Sequence, residues 1–127
     1  MQEITTLPST PATWLPAIRH ELAGIGLPPQ WSEETFEAPS TRVSKSADCT
    51  LRLLAELGLE PSWLQPSAEG GISIAFARDG RYAEIQFLNR GEIITTRSEG
   101  AESLSENLVS GFDLRGAAQE IRSFLVR

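Results

Sequence analysis

The sequence predicts an α+β fold: an antiparallel β-meander of three strands, with a fourth left open, packed on one face by two to three α-helices. Three observations carry that expectation. Asp79-Gly80 stands between two runs of β-branched and aromatic residues and supplies the positive-φ pair of a type I′ hairpin turn. Asn89-Arg90-Gly91 marks a second turn further along. Residues 41–57 place apolar side chains at helical spacing, and a helix laid over the apolar face of a sheet buries both surfaces in one layer.

Residues 1–12 carry Thr, Pro and Ser without periodicity and predict a loose amino-terminal arm. Thr13 then caps a short helix in which Trp14, Ile18 and Leu22 recur at a spacing of four, with Pro16 tolerated in the first turn and Gly24 and Gly26 as stops. Residues 27–40 read as an extended connector, because Pro28, Pro29 and Pro39 disfavour helix, while Trp31 and Phe36 offer anchors. Val43, Ala47, Leu51, Leu54 and Leu57 form the apolar face of the second helix, which Gly58 and Pro61 end. Trp63 and Leu64 fall in the link to the sheet, with Pro66 near its end, and are expected to close the top of the core.

A two-residue loop at Asp79-Gly80 fixes the register of the first hairpin. Arg78 then faces Arg81, Ala77 faces Tyr82, Phe76 faces Ala83, Ala75 faces Glu84, Ile74 faces Ile85, Ser73 faces Gln86 and Ile72 faces Phe87. Opposed residues share a face, so Ile72, Ile74, Phe76, Ala83, Ile85 and Phe87 collect on the core side. Ser73, Ala75, Ala77, Tyr82, Glu84 and Gln86 collect on the other. The second turn leaves two readings: a three-residue loop with Gly91 left-handed brings Ile93 and Thr95 to the core face, and a two-residue loop brings Ile94 and Thr96. A third strand follows over about residues 92–97 either way. Residues 98–111 stay open between a turn of helix, suggested by Leu104, Leu108 and Val109, and a loop. Asp113 stands where an N-cap belongs, and Leu114, Ala117, Ala118, Ile121 and Leu125 stripe a terminal helix.

The 127 residues suit one domain, 1–127, with a single core. A net charge of −6 and a pI near 4.8 argue against a nucleic-acid partner, since phosphate recognition needs a basic field, and fit solubility or a basic protein partner. The single cysteine, Cys49, leaves no disulfide within the chain and no zinc-ligand spacing, and reads as a buried structural thiol. No run approaches the ~18 apolar residues of a membrane helix, and the amino terminus has no basic segment before an apolar one. No membrane partner and a cytoplasmic location are expected.

Trp31, Phe36-x-Ala38-Pro39, an amphipathic helix, Pro66, Gly70-Gly71-Ile72-x-Ile74-x-Phe76, Glu84-Ile85-x-Phe87 and Gly91-x-Ile93 occur in that order. The pattern resembles a widespread group of small uncharacterised bacterial proteins, which carry Trp-Asp, Ala-Pro, a helix and a Pro-Asp-Gly-Gly-(Val/Ile)-x-(Leu/Phe)-Glu-Trp hairpin. The resemblance covers roughly residues 27–96. It departs at Ser32, where the group tends to have Asp, at Ala75-Phe76 in place of Glu-Trp, and at Arg90 in place of an Asp in the second turn. It implies the fold and no chemistry.

Catalytic, cofactor-binding and metal-binding residues are not expected. His20 is the only histidine; it neighbours Glu21 on a helix, where adjacent side chains point about 100° apart, so it reads as exposed or capping. Glu33-Glu34, and Glu99 with Glu102, read as solvated loop charge. Gly70-Gly71 leads into a strand and is followed by no Lys-Ser/Thr, so close backbone approach at the sheet's start explains it better than a phosphate loop. Arg78, Arg81 and Tyr82 gather at one hairpin tip, with Arg90 and Arg97 in the neighbouring strand region, a pattern open to phosphate or acidic segments.

The stronger lead is the sheet's second face, because its Ser73 and Ala75 are small where a solvated face carries longer polar residues. Its cover is left open between the helix bearing Trp14, the 31–39 connector, a second copy or another protein, and solvent. Ser73, Ala75, Arg78, Arg81, Tyr82, Glu84 and Gln86 form the candidate interaction surface. The expected function is a non-enzymatic domain that binds a protein, itself or another, as an inhibitor, antitoxin-like neutraliser or assembly subunit. The alternatives are an enzyme whose carboxylates and arginines assemble from separate segments, and a sensor of small phosphorylated ligands using Arg78, Arg81 and Tyr82.

Overall fold

The computed structural model describes residues 13–25, 39–67, 69–109 and 113–126. The arm expected over residues 1–12 and the connector with Trp31 and Phe36 lie outside the described residues. Element order is α1 (Leu15–Ile25), α2 (Thr41–Leu57), β1 (Trp63–Pro66), β2 (Gly71–Arg78), β3 (Arg81–Leu88), β4 (Ile93–Glu99), β5 (Glu102–Leu108) and α3 (Leu114–Val126). The strands form one antiparallel meander in the order β1-β2-β3-β4-β5. The described residues therefore form an α+β fold with three helices and five strands, where the sequence reading counts three or four strands.

Both hairpin turns decide registers. Asp79 and Gly80 adopt φ of 52° and 80°, the type I′ geometry, and β2 pairs with β3 from Gly71↔Leu88 through Ile74↔Ile85 to Arg78↔Arg81. At the second turn Gly91 is left-handed at φ 105°, Gly91 N–H donates to Leu88 O, and the Leu88 N–H donates to Glu92 O. The loop therefore has three residues, and Ile93 and Thr95 take the core face opposite Phe87 and Ile85.

Two segments differ from the sequence reading. Trp63 and Leu64 are not a link but strand β1, with Leu64 against the core and Trp63 on the opposite face. The strand is too short and too close to two prolines for its alternation to stand out. Residues 102–108 are likewise neither helix nor loop but strand β5, whose Ser and Glu content hides an edge position that asks little apolar burial. Its pairing passes from Arg97↔Ser105 to Ser98↔Ser103, so Leu104 is the extra residue of a β-bulge. The β4–β5 turn is tied to the β2–β3 turn by a bond from the Gly100 N–H to Gly80 O of 2.9 Å.

The helices cover one face. Ile72, Ile74, Phe76, Ala83, Ile85 and Phe87 are buried there beneath Ile18 and Leu22 of α1, Val43, Ala47, Leu51 and Leu54 of α2, and Ala118, Ile121, Phe124 and Leu125 of α3. Each large side chain fully buried this way contributes about 1.5–3 kcal/mol. Helix α2 is closed at both ends: Ser40 Oγ accepts the Val43 N–H at 3.1 Å, and Gly58 at φ 71° turns the chain back so that Leu59 N–H donates to Leu54 O. Helix α1 runs through Gly24 to Ile25. Cys49 is exposed, contrary to the buried thiol expected, because position 49 lies two residues from both Ala47 and Leu51, about 200° around the helix from each.

Candidate functional site

Among the described residues, no helix packs on the second face of the sheet. Strand pairing assigns its side chains: Trp63 and Gln65 from β1, Ser73, Ala75 and Ala77 from β2, Tyr82, Glu84, Gln86 and the buried Leu88 from β3, Ile94, Thr96 and Ser98 from β4, and Ser103, Glu106 and Leu108 from β5. Five of the seven residues expected from sequence, Ser73, Ala75, Tyr82, Glu84 and Gln86, therefore share this surface.

Small residues on β2 and longer ones on β1 and β3 give the face its relief. Ser73 and Ala75 have no exposed surface. Above Ala75 and Ala77 the rings of Trp63 and Tyr82 approach to 6.1 Å between centroids at a 36° tilt. The Trp63 indole N–H donates to Gln65 Oε1 at 3.1 Å. Ser73 Oγ donates to Glu84 Oε2, and Ser67 Oγ donates to Gln86 Oε1 at 3.0 Å, so the polar groups at the centre are held by one another. Burial pushes the Tyr82 phenol above its ordinary pKa, the Glu84 charge pushes the same way, and a hydrogen bond with Gln65 opposes them.

Charge is distributed unevenly. Among the described residues this face carries two carboxylates, Glu84 and Glu106, and no lysine or arginine. Arg78 and Arg81 oppose each other on the helix side, so they and Tyr82 point to opposite faces and do not converge. Arg81 pairs with Glu99 at 3.5 Å and stands 5.9 Å over the Phe124 ring. Arg97 stacks on the same ring at 5.8 Å and donates to Ser105 Oγ at 3.0 Å. Arg90, at the other end of the sheet, binds Glu92 at 2.6 Å and Glu69 at 3.3 Å.

No family model, curated protein or solved structure matches the chain.

A concavity of about 750 Å³ runs between α1 and α2. His20, Lys45 and Cys49 line it, together with Asp48, which binds Arg19 at 2.6 Å and Arg52 at 3.4 Å. That carboxylate holds the two helices together across the groove. Among the described residues, no three His, Cys, Asp or Glu side chains are grouped to hold a metal ion. No described helix is long and apolar enough to cross a membrane. Sequence reasoning missed Trp63, Gln65, Glu106 and Leu108 as members of the sheet surface. The out-in-out-in order of Trp63-Leu64-Gln65-Pro66 and the Glu99-Gly100-Ala101-Glu102 turn are the signals that would have found them.

Proposed function

We propose that this chain is a non-enzymatic docking domain that receives a cationic surface of a protein partner on the sheet face that no described helix covers. The observation that carries the reading is that face's charge: Glu84 and Glu106 without a lysine or arginine, beside the Trp63–Tyr82 pair. A guanidinium or ammonium set down there meets carboxylates for pairing and aromatic rings for cation–π contact, worth about 0.5–2 kcal/mol. The self-satisfied centre favours such docking, because Ser73, Ser67, Glu84 and Gln86 already have partners and are not left unpaired when water leaves. The biological role of the complex, as inhibitor, antitoxin-like neutraliser or assembly subunit, follows from what the partner does.

Affinity capture of the full chain from its native host tests this. Retention of a stoichiometric partner with a basic surface, lost in Thr96→Arg and in Trp63→Ala, is the expected result. A chain that stays monomeric and recovers no stoichiometric protein overturns it. Thr96 lies directly opposite Glu84, so the introduced arginine sets a cation beside that carboxylate without entering the core.

A further inference from the structure

We infer that the β5 edge captures an extended, cationic segment of that partner as a sixth strand, an inference that rests on the docking reading above. Strands of four, eight, eight, seven and seven residues give the sheet's second face a flat footprint of roughly 550 Å², short of the ~800 Å² per partner usual for a stable interface. Strand addition at an edge supplies the missing area and adds backbone hydrogen bonds.

The hydrogen-bond alternation shows which groups are offered. Val109 N–H donates to Ile93 O, so Ile93, Thr95 and Arg97 turn their backbone groups toward β5, and Ser105 and Asn107 answer them. Glu106 and Leu108 therefore turn their N–H and C=O groups outward, where no described residue meets them. The opposite edge is a poorer template, since β1 has four residues and ends on Pro66. Strand β5 has neither proline nor lysine, its bulge at Leu104 lies toward the turn, and Leu108 is 71 % exposed.

Charge selects the occupant. Glu102 and Glu106 lie on β5, Glu99 opposite Glu102 is paired with Arg81, and the hairpin's one cation, Arg97, is committed to Ser105 and Phe124 on the helix side. A second copy pairing through β5 would bring Glu102 and Glu106 of both chains into one ladder with no cation between them, a repulsive arrangement. A strand that alternates cationic and apolar residues can set its cationic side on the face of Glu106, giving that carboxylate partners and laying the cations' methylenes along Leu108.

The test is an NMR titration of the full chain with an acetylated, amidated hexapeptide alternating lysine and valine, against a counterpart alternating glutamate and valine. The lysine peptide is expected to shift the Glu106 and Leu108 amides, and the glutamate peptide to leave them unmoved. Leu108→Pro removes an outward N–H without touching the β4 ladder and is expected to weaken binding about tenfold or more. Glu106→Lys, at an exposed position, gives the same loss by charge and serves where the proline variant does not fold. Equal response to both peptides, unchanged affinity in a folded Leu108→Pro chain, or a wild-type dimer that this variant dissociates overturns the inference. Native-host capture separates the two proposals: a partner lost in Thr96→Arg yet kept in Leu108→Pro leaves the docking face standing without its edge.

Discussion

Trp63 and Tyr82 lie on strands separated by β2, yet their ring centroids are 6.1 Å apart. They meet because Trp63 is opposite Ala75 and Tyr82 opposite Ala77, whose methyl groups leave the space between the outer strands free for the two rings. Ala75→Leu fills that space at a position with no exposed surface. It is expected to cost about 1–3 kcal/mol and to alter the near-ultraviolet circular dichroism of the aromatic pair, both measurable in one denaturation series.

Tyr82 is the chain's one tyrosine, so phenolate absorbance during alkaline titration reads this site alone. Its midpoint is expected above the ordinary ~10, through burial first and the Glu84 charge second. Glu84→Gln is expected to bring the midpoint down. Because the folded pKa is the higher one, the unfolded chain loses its proton first as pH rises. The stabilising contribution is whole below about pH 10 and disappears as pH climbs through the folded midpoint. Stability that rose across that interval would contradict the assignment.

Gly71 begins β2 at φ 124°, and a Cβ there would lie 2.0 Å from the Phe87 carbonyl oxygen. No side-chain rotation relieves a clash with backbone. Gly71→Ala is expected to cost at least ~1–3 kcal/mol from backbone strain, with further loss as β2 and β3 part at that end. Gly24→Ala is the control: it has a helical backbone with open space around the added methyl, so chemical denaturation should find it neutral or up to about 1 kcal/mol stabilising.

Phe124 is 2 % exposed and takes Arg81 and Arg97 near its ring at 5.9 and 5.8 Å. Phe124→Ala is expected to cost about 3–5 kcal/mol as a core truncation. Phe124→Leu keeps much of the volume, so a loss beyond ~1.5 kcal/mol reports the cation–π contacts. A double-mutant cycle with Arg97→Met isolates one of them; zero coupling would assign the whole effect to packing.

Ser40 links two elements, since its Oγ caps α2 while its N–H donates to Asn89 Oδ1 at 2.8 Å in the β3–β4 turn. Ser40→Ala removes the cap alone and is expected to cost about 1 kcal/mol, read by thermal or chemical unfolding.

Legibility in the sequence followed how locally each feature is determined. The β2–β3 register was readable in full because Asp79-Gly80 sets it and the alternation from Ile72 to Phe87 independently agrees. The second turn was readable only as a choice, since Gly91 suits either loop length, and the Leu88–Glu92 bond settles it through tertiary pairing. Strand β5 was not readable: its side chains are mostly exposed, so no apolar period marks it, and the bulge at Leu104 breaks what period remains. The same limit applied to the candidate surface. Its centre at Ser73, Ala75, Glu84 and Gln86 came with the hairpin, whereas Trp63 and Glu106 arrive from strands that only sheet assembly places beside it.

The bond from the Gly100 amide to the Gly80 carbonyl gives the sheet an internal reporter. An amide at the tip of an exposed turn ordinarily exchanges its proton with water almost freely, whereas this one is shielded until the two turns separate. Its exchange rate therefore measures how often the outer hairpin swings away from its neighbour while the rest of the fold stays closed. A captured strand holding β5 in place would slow that exchange without touching either glycine.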